Sequence, residues 1–156
     1  MNDSTIATLV LITVTASFPC YVYGAWIIMR EKTVTWSVLM HHLRFIFTGL
    51  LLTTIPIFVW MIPRSFSRID GYIALHTFIG LQAYAFLIIA LTGIVRIFNA
   101  KRSLNLYQVP DDSILLDSLG EDMQIWRRRL RMGVFGYLII WIIAWSIGVI
   151  RYIQLY

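Results

Sequence analysis

Three imidazoles, His41, His42 and His76, are the only side chains of this 156-residue chain that can titrate near neutrality and ligate a metal through nitrogen. Any redox or metal chemistry has to rest on them. His41 and His42 are adjacent, so on a helix they point about 100° apart and at most one faces a bundle interior. Paired with Asp117 or Glu121 they would form a surface metal site, although the four residues stand at no diagnostic ligand spacing. His76 stands alone. It can donate a hydrogen bond to a hydroxyl of a neighbouring helix, which satisfies most intramembrane histidines. Or it can ligate a flat cofactor such as haem, with Met61 or another thioether as the second axial ligand.

No serine, cysteine or carboxylate lies at nucleophile or acid–base spacing with a histidine, and no glycine-rich phosphate loop occurs. The chain therefore reads as non-enzymatic, with no catalytic residue assigned. Cys20 is the only cysteine, which excludes an intrachain disulfide and a thiolate cluster. Beside Pro19 it reads as a small packing residue.

The elements that must position these side chains are four long apolar stretches, at about residues 5–29, 40–62, 72–97 and 131–151. Each is close to the roughly 20 residues with which a helix crosses about 30 Å of hydrocarbon. With 59% apolar and 13% charged residues, against about 25% charged in an ordinary soluble domain, a soluble reading is excluded. The expected fold is all-α: a single transmembrane domain over 1–156, folded as an antiparallel four-helix bundle. A loop at about 98–130 joins the third and fourth spans, and its Pro110-Asp111-Asp112 turn, followed by Ser113 as a cap, predicts a short amphipathic helix through Leu115, Leu116 and Leu119. Gly120 should end that helix, and a second run from Glu121 should flow into the fourth span. The N-terminal Met1-Asn2-Asp3-Ser4-Thr5 lacks the basic region of a signal peptide, so the first helix is expected to remain as an anchor.

The net charge of +5 does not point to nucleic acid, because no basic stripe with interleaved aromatics lies outside the spans. Basic residues collect on the cytoplasmic side of membrane proteins for topological reasons. Ten of the thirteen fall on the first and third connections: Arg30, Lys32, Arg44, Arg96, Lys101, Arg102, Arg127, Arg128, Arg129 and Arg131. Arg64, Arg68 and Arg151 fall on the other side. The imbalance places the protein in the cell membrane with both termini outside the cytoplasm.

Within the spans, Pro19 and Pro56 each remove an intrahelical hydrogen bond and should bend their helices. The second helix should begin near Thr33 or Thr35, with Trp36, His41, His42 and Arg44 at headgroup depth. Residues 63–71 read as a short external turn. Stripes of mostly small residues, His76-Gly80-Ala83-Leu87-Ala90 and Gly133-Gly136-Ile140-Ala144-Gly148, mark the faces expected to pack most tightly.

A basic connection ending in Met40, the lone His76, a basic run ahead of Gly133 and a terminal Gly148…Tyr152…Leu155-Tyr156 together resemble a family of small four-helix membrane proteins of unknown function. Some bacterial members of that family assist assembly of haem–copper terminal oxidases. Where it carries histidine four residues before the methionine and before the glycine, this chain has Trp36 and Arg129, so His76 alone carries over as a ligand. The chain is also similar to small uncharacterised archaeal membrane proteins. The resemblance implies an accessory subunit or assembly factor of a respiratory complex, partnered by lipid and by other membrane-protein subunits, and for that role no cofactor is expected. The alternative is a redox protein with haem or a metal near His76.

Overall fold

The computed structural model describes residues 3–31, 34–67, 70–120 and 122–155. Met1, Asn2, Lys32, Thr33, Arg68, Ile69, Glu121 and Tyr156 lie outside the described residues. Expectations resting on them, the Glu121 metal pairing and the Thr33 helix start among them, are not tested there.

Helix α1 runs over Asp3–Arg30 and α2 over Trp36–Pro56; a π-helical segment, Ile57–Met61, continues α2 into α3, Ile62–Ser67. Helix α4 spans Gly71–Ser103 and α5 Met123–Leu155. Counting α2 and its continuation as one rod, four helices among the described residues are long and apolar enough to cross a membrane. The 28 residues of α1 rise about 42 Å, beyond the hydrocarbon thickness. The helices therefore extend past the apolar stretches at both margins, and α5 begins ahead of its basic run.

Local chemistry sets the ends. Asp70 caps α4 by accepting from the Ile73 amide at 2.8 Å, and Thr35 accepts from the Val38 amide to start α2. Asn105, in the left-handed region at φ 53°, turns the chain out of α4. The two prolines act differently. Helix α1 continues unbroken through Pro19, whereas Pro56 is followed at once by the π turn, in which the Ile62 amide bonds to the Ile57 carbonyl five residues back. A proline cannot donate its backbone bond, and the wider turn absorbs the missing donor.

Helix α1 packs mainly on α2, and α4 on α5. The second contact is close enough to involve backbone: a Cβ added at Gly133 would stand 2.5 Å from the Ala90 nitrogen, and one at Gly136 would overlap the Phe86 ring. Gly80 lies outside this contact, with nothing within 4 Å of its Cβ position. The two helix pairs meet through a ladder of side-chain hydrogen bonds. Thr8 bonds to Tyr152 at 2.7 Å, Thr15 accepts from the Trp145 indole at 3.1 Å, and Tyr84 donates to Thr54 at 3.0 Å. Between them, Tyr21 bonds to both Tyr137, at 2.9 Å, and Thr53, at 3.2 Å. Beyond the ladder, ion pairs Asp3–Arg64 and Asp70–Arg151 tie the ends from which α1 and α4 start.

At the opposite end the connection between α4 and α5 folds over the helices. Instead of a helix from Ser113, it forms three single turns of 3-10 helix, Leu106–Gln108, Asp111–Ser113 and Leu116–Leu119. The reason lies in its backbone partners. The Leu116 amide donates to the Val34 carbonyl and the Trp36 amide to the Ile114 carbonyl, both at 3.1 Å, an antiparallel bridge between Leu115 and Thr35. Those bonds hold Leu115 extended and leave no register for a continuous α-helix. Ile114, Leu116 and Leu119 are buried with Trp36, Leu39, Ile97 and Met123. The loop is thus a packed cap of single turns, where the sequence suggested a short amphipathic helix.

Candidate functional site

The most constrained chemistry lies in this cap. Lys101, in the last turn of α4, is 4% exposed. Its Nζ donates to Asp111 at 2.7 Å and sits 4.0 Å from the Trp36 ring centroid and 5.6 Å from that of Tyr107. A buried ammonium needs a counter-charge and a polarisable wall, and here the loop supplies Asp111 and Tyr107 while α2 supplies Trp36. A second pair, Arg127–Asp117, joins the loop to the first turns of α5. Sequence reasoning did not single out Lys101, because a lysine at a span's end ordinarily snorkels to water. The only available signal was an acidic turn ten residues downstream.

The cap's inward face is closed, but its outward face is not apolar-free. Leu104, Tyr107, Val109 and Leu115 are exposed, Tyr107 at 65%. Asp112 and Asp117 stand exposed among them. These side chains project from a segment fixed by backbone bonds, burial and ion pairs.

The histidines fall in three environments. His42 is buried and its Nδ1 lies 2.7 Å from the Gly24 carbonyl, a bond that fastens α2 to α1. His41 points elsewhere, exposed and edge-on to Phe45, and lines a cleft between α1 and α2 of about 580 Å³ together with Arg30, Glu31, Arg44 and Asp111. His76 is half-buried near the opposite ends of the helices, its Cε1 3.3 Å from the Cβ position of Gly148. No hydrogen bond to its ring nitrogens occurs among the described residues. Nor, among those residues, do three or more His, Cys, Asp or Glu side chains converge as a metal would require. Asp117, proposed as a partner for His41 or His42, is engaged by Arg127.

Four apolar helices of spanning length, with outward faces such as Ile12, Phe47, Val59, Phe78 and Ile139 left exposed, define a multi-pass membrane protein in contact with lipid. The chain belongs to a family described as a domain of unknown function, DUF7321, which matches residues 3–156. No curated protein and no solved structure matches it. Family membership therefore brings no activity with it, and function has to be argued from the geometry.

Proposed function

We propose that this protein is a non-enzymatic accessory subunit or assembly factor of a membrane complex, a respiratory complex being the class that the sequence resemblance implies. In this reading it stands in the cell membrane as an antiparallel four-helix bundle, both termini outside and the cap in the cytoplasm. The ten-to-three distribution of basic residues supports the orientation. The observation that carries the function is the cap's outward face. Leu104, Tyr107, Val109 and Leu115 stay exposed on a segment held in place from beneath. Immobilised apolar side chains at a polar rim are the usual composition of a protein contact.

The reading is tested by purifying the full chain from its native membrane in mild detergent. A stoichiometric integral membrane protein is expected to accompany it and to be lost from a Tyr107→Asp, Leu115→Asp double variant. Equal recovery with the variant would remove the basis of the proposal.

A second reading keeps a cofactor near His76. It is favoured by the two ring nitrogens, without hydrogen bonds among the described residues, and by the open space beside Gly80, one turn further along α4. Haem would give a Soret band that His76→Ala abolishes. A colourless, metal-free preparation would reject this reading and leave the first.

A further inference from the structure

The cleft between α1 and α2 is built from two helix faces. Tyr23, Trp26 and Arg30 follow one another at spacings of three and four residues on α1, and Ser37, His41 and Arg44 do the same on α2. Each set therefore forms one stripe, and the two stripes face each other across the opening. Arg30 is the last residue of α1, and Ser37 is the second of α2. The cleft thus opens where the spans leave the hydrocarbon, the depth of lipid headgroups, with Tyr23 and Arg44 at its deeper end and Arg30 and Ser37 at its mouth.

Its charges are unevenly satisfied. The other basic side chains on the helices include several with partners: Arg64, Arg127 and Arg151 in ion pairs, and Arg96 and Arg129 over Trp126. The guanidinium groups of Arg30 and Arg44 have no ion pair, ring contact or hydrogen bond among the described residues. Of the two acids lining the cleft, Asp111 is neutralised by Lys101, which leaves Glu31 against two arginines. The local balance is positive. The volume of about 580 Å³ falls in the roughly 300–1,000 Å³ range of small-ligand sites.

From these observations we infer that the α1–α2 cleft binds a phosphate group, held by Arg30 and Arg44, as the headgroup of a membrane lipid or as a free phosphate. Arginine suits this because its planar fork donates two parallel hydrogen bonds to phosphate oxygens. The His41 ring and the Ser37 hydroxyl line the same opening and can supply further donors. Trp26, Ile27 and Met40 add apolar surface to the same lining, against which an acyl or isoprenoid chain can lie. The site is independent of the docking face proposed above, because its guanidinium groups lie on α1 and α2 rather than on the outward face of the loop.

The test is native mass spectrometry of the full chain in a non-ionic detergent, titrated separately with phosphatidylglycerol and with inorganic phosphate. The expected result is one saturable adduct per chain, weakened about tenfold or more in Arg30→Gln, Arg44→Gln. The exposed controls Arg102→Gln and Arg128→Gln should leave it unchanged. Circular dichroism and size-exclusion profiles verify that all variants fold, and His41→Ala supplies a second, milder change in the same cleft. Adduct formation by the phospholipid alone assigns the site to a headgroup; competition by inorganic phosphate at similar concentration assigns it to the free anion. Equal weakening by both arginine pairs would reduce the effect to general surface charge and overturn the proposal. Absence of a saturable adduct with either probe would overturn it as well.

Discussion

The ammonium of Lys101 lies 4.0 Å from the centroid of the Trp36 indole, and this contact joins the last turn of α4 to the first residue of α2. Asp111 approaches the same ammonium from the loop. One side chain thus fixes three segments, and the cap's outward face depends on it. Lys101→Ala is expected to cost about 2–3 kcal/mol of local stability, since a desolvated cation–π contact and a counter-ion are lost together. Lys101→Met should cost less, because the stem still fills the space. Limited proteolysis between residues 104 and 120 reads the difference; equal cleavage of wild type and Lys101→Ala would contradict it.

Close approach of α4 and α5 makes a graded prediction at three glycines. Gly133→Ala places a methyl against the Ala90 backbone, which cannot rotate away, and should cost about 1–3 kcal/mol or more. Gly136→Ala meets the Phe86 ring, which can turn, and should cost less. Gly80→Ala enters open space and should be neutral or stabilising by up to about 1 kcal/mol. Thermal aggregation midpoints in one detergent give the order, and a Gly80→Ala loss as large as that of Gly133→Ala would refute the packing described.

The hydroxyl chain Thr53–Tyr21–Tyr137 links the two helix pairs. Tyr137→Phe removes one of its members without changing shape and should cost about 1 kcal/mol. In a double-mutant cycle with Tyr21→Phe the coupling should be near the roughly 0.6 kcal/mol typical of hydrogen bonds within membranes. Strict additivity would mean that the two hydroxyls do not bond in the membrane.

Orientation is checked by single cysteines placed in a Cys20→Ser background. Residues near both termini should react with an impermeant maleimide from outside intact cells, and Ser118 in the cap only after lysis. Labelling of the two termini from opposite faces would break both the even number of crossings and the charge argument.

Much of this was readable from the residues. The four spans follow from uninterrupted apolar length, and the small residues Ala83, Ala90, Gly133 and Gly136 named the helix faces that now meet. Other parts were not readable, for identifiable reasons. Leu115 has the neighbours of an amphipathic helix, yet a bridge to Thr35, 80 residues away in sequence, decides its backbone. Such long-range pairing leaves no local pattern. Lys101 and Arg44 both read as ordinary basic residues at span ends; burial separated the first, and the fold of α1 against α2 placed the second in a cleft. His42 is a candidate ligand by its imidazole alone, and the bond of its Nδ1 to the Gly24 carbonyl, 18 residues away, has no local sequence signal. Gly80 shared its stripe with Ala83 by spacing alone and faces open space.

The central claim is that the cap presents a fixed protein-binding face to the aqueous side. A photoreactive amino acid placed at Leu115, which points outward, and at neighbouring Ile114, which is buried, tests this in native membranes. The account predicts one adduct of defined mass with another membrane protein from position 115 and none from 114. Adducts with lipid alone from position 115, or the same products from both positions, would contradict it.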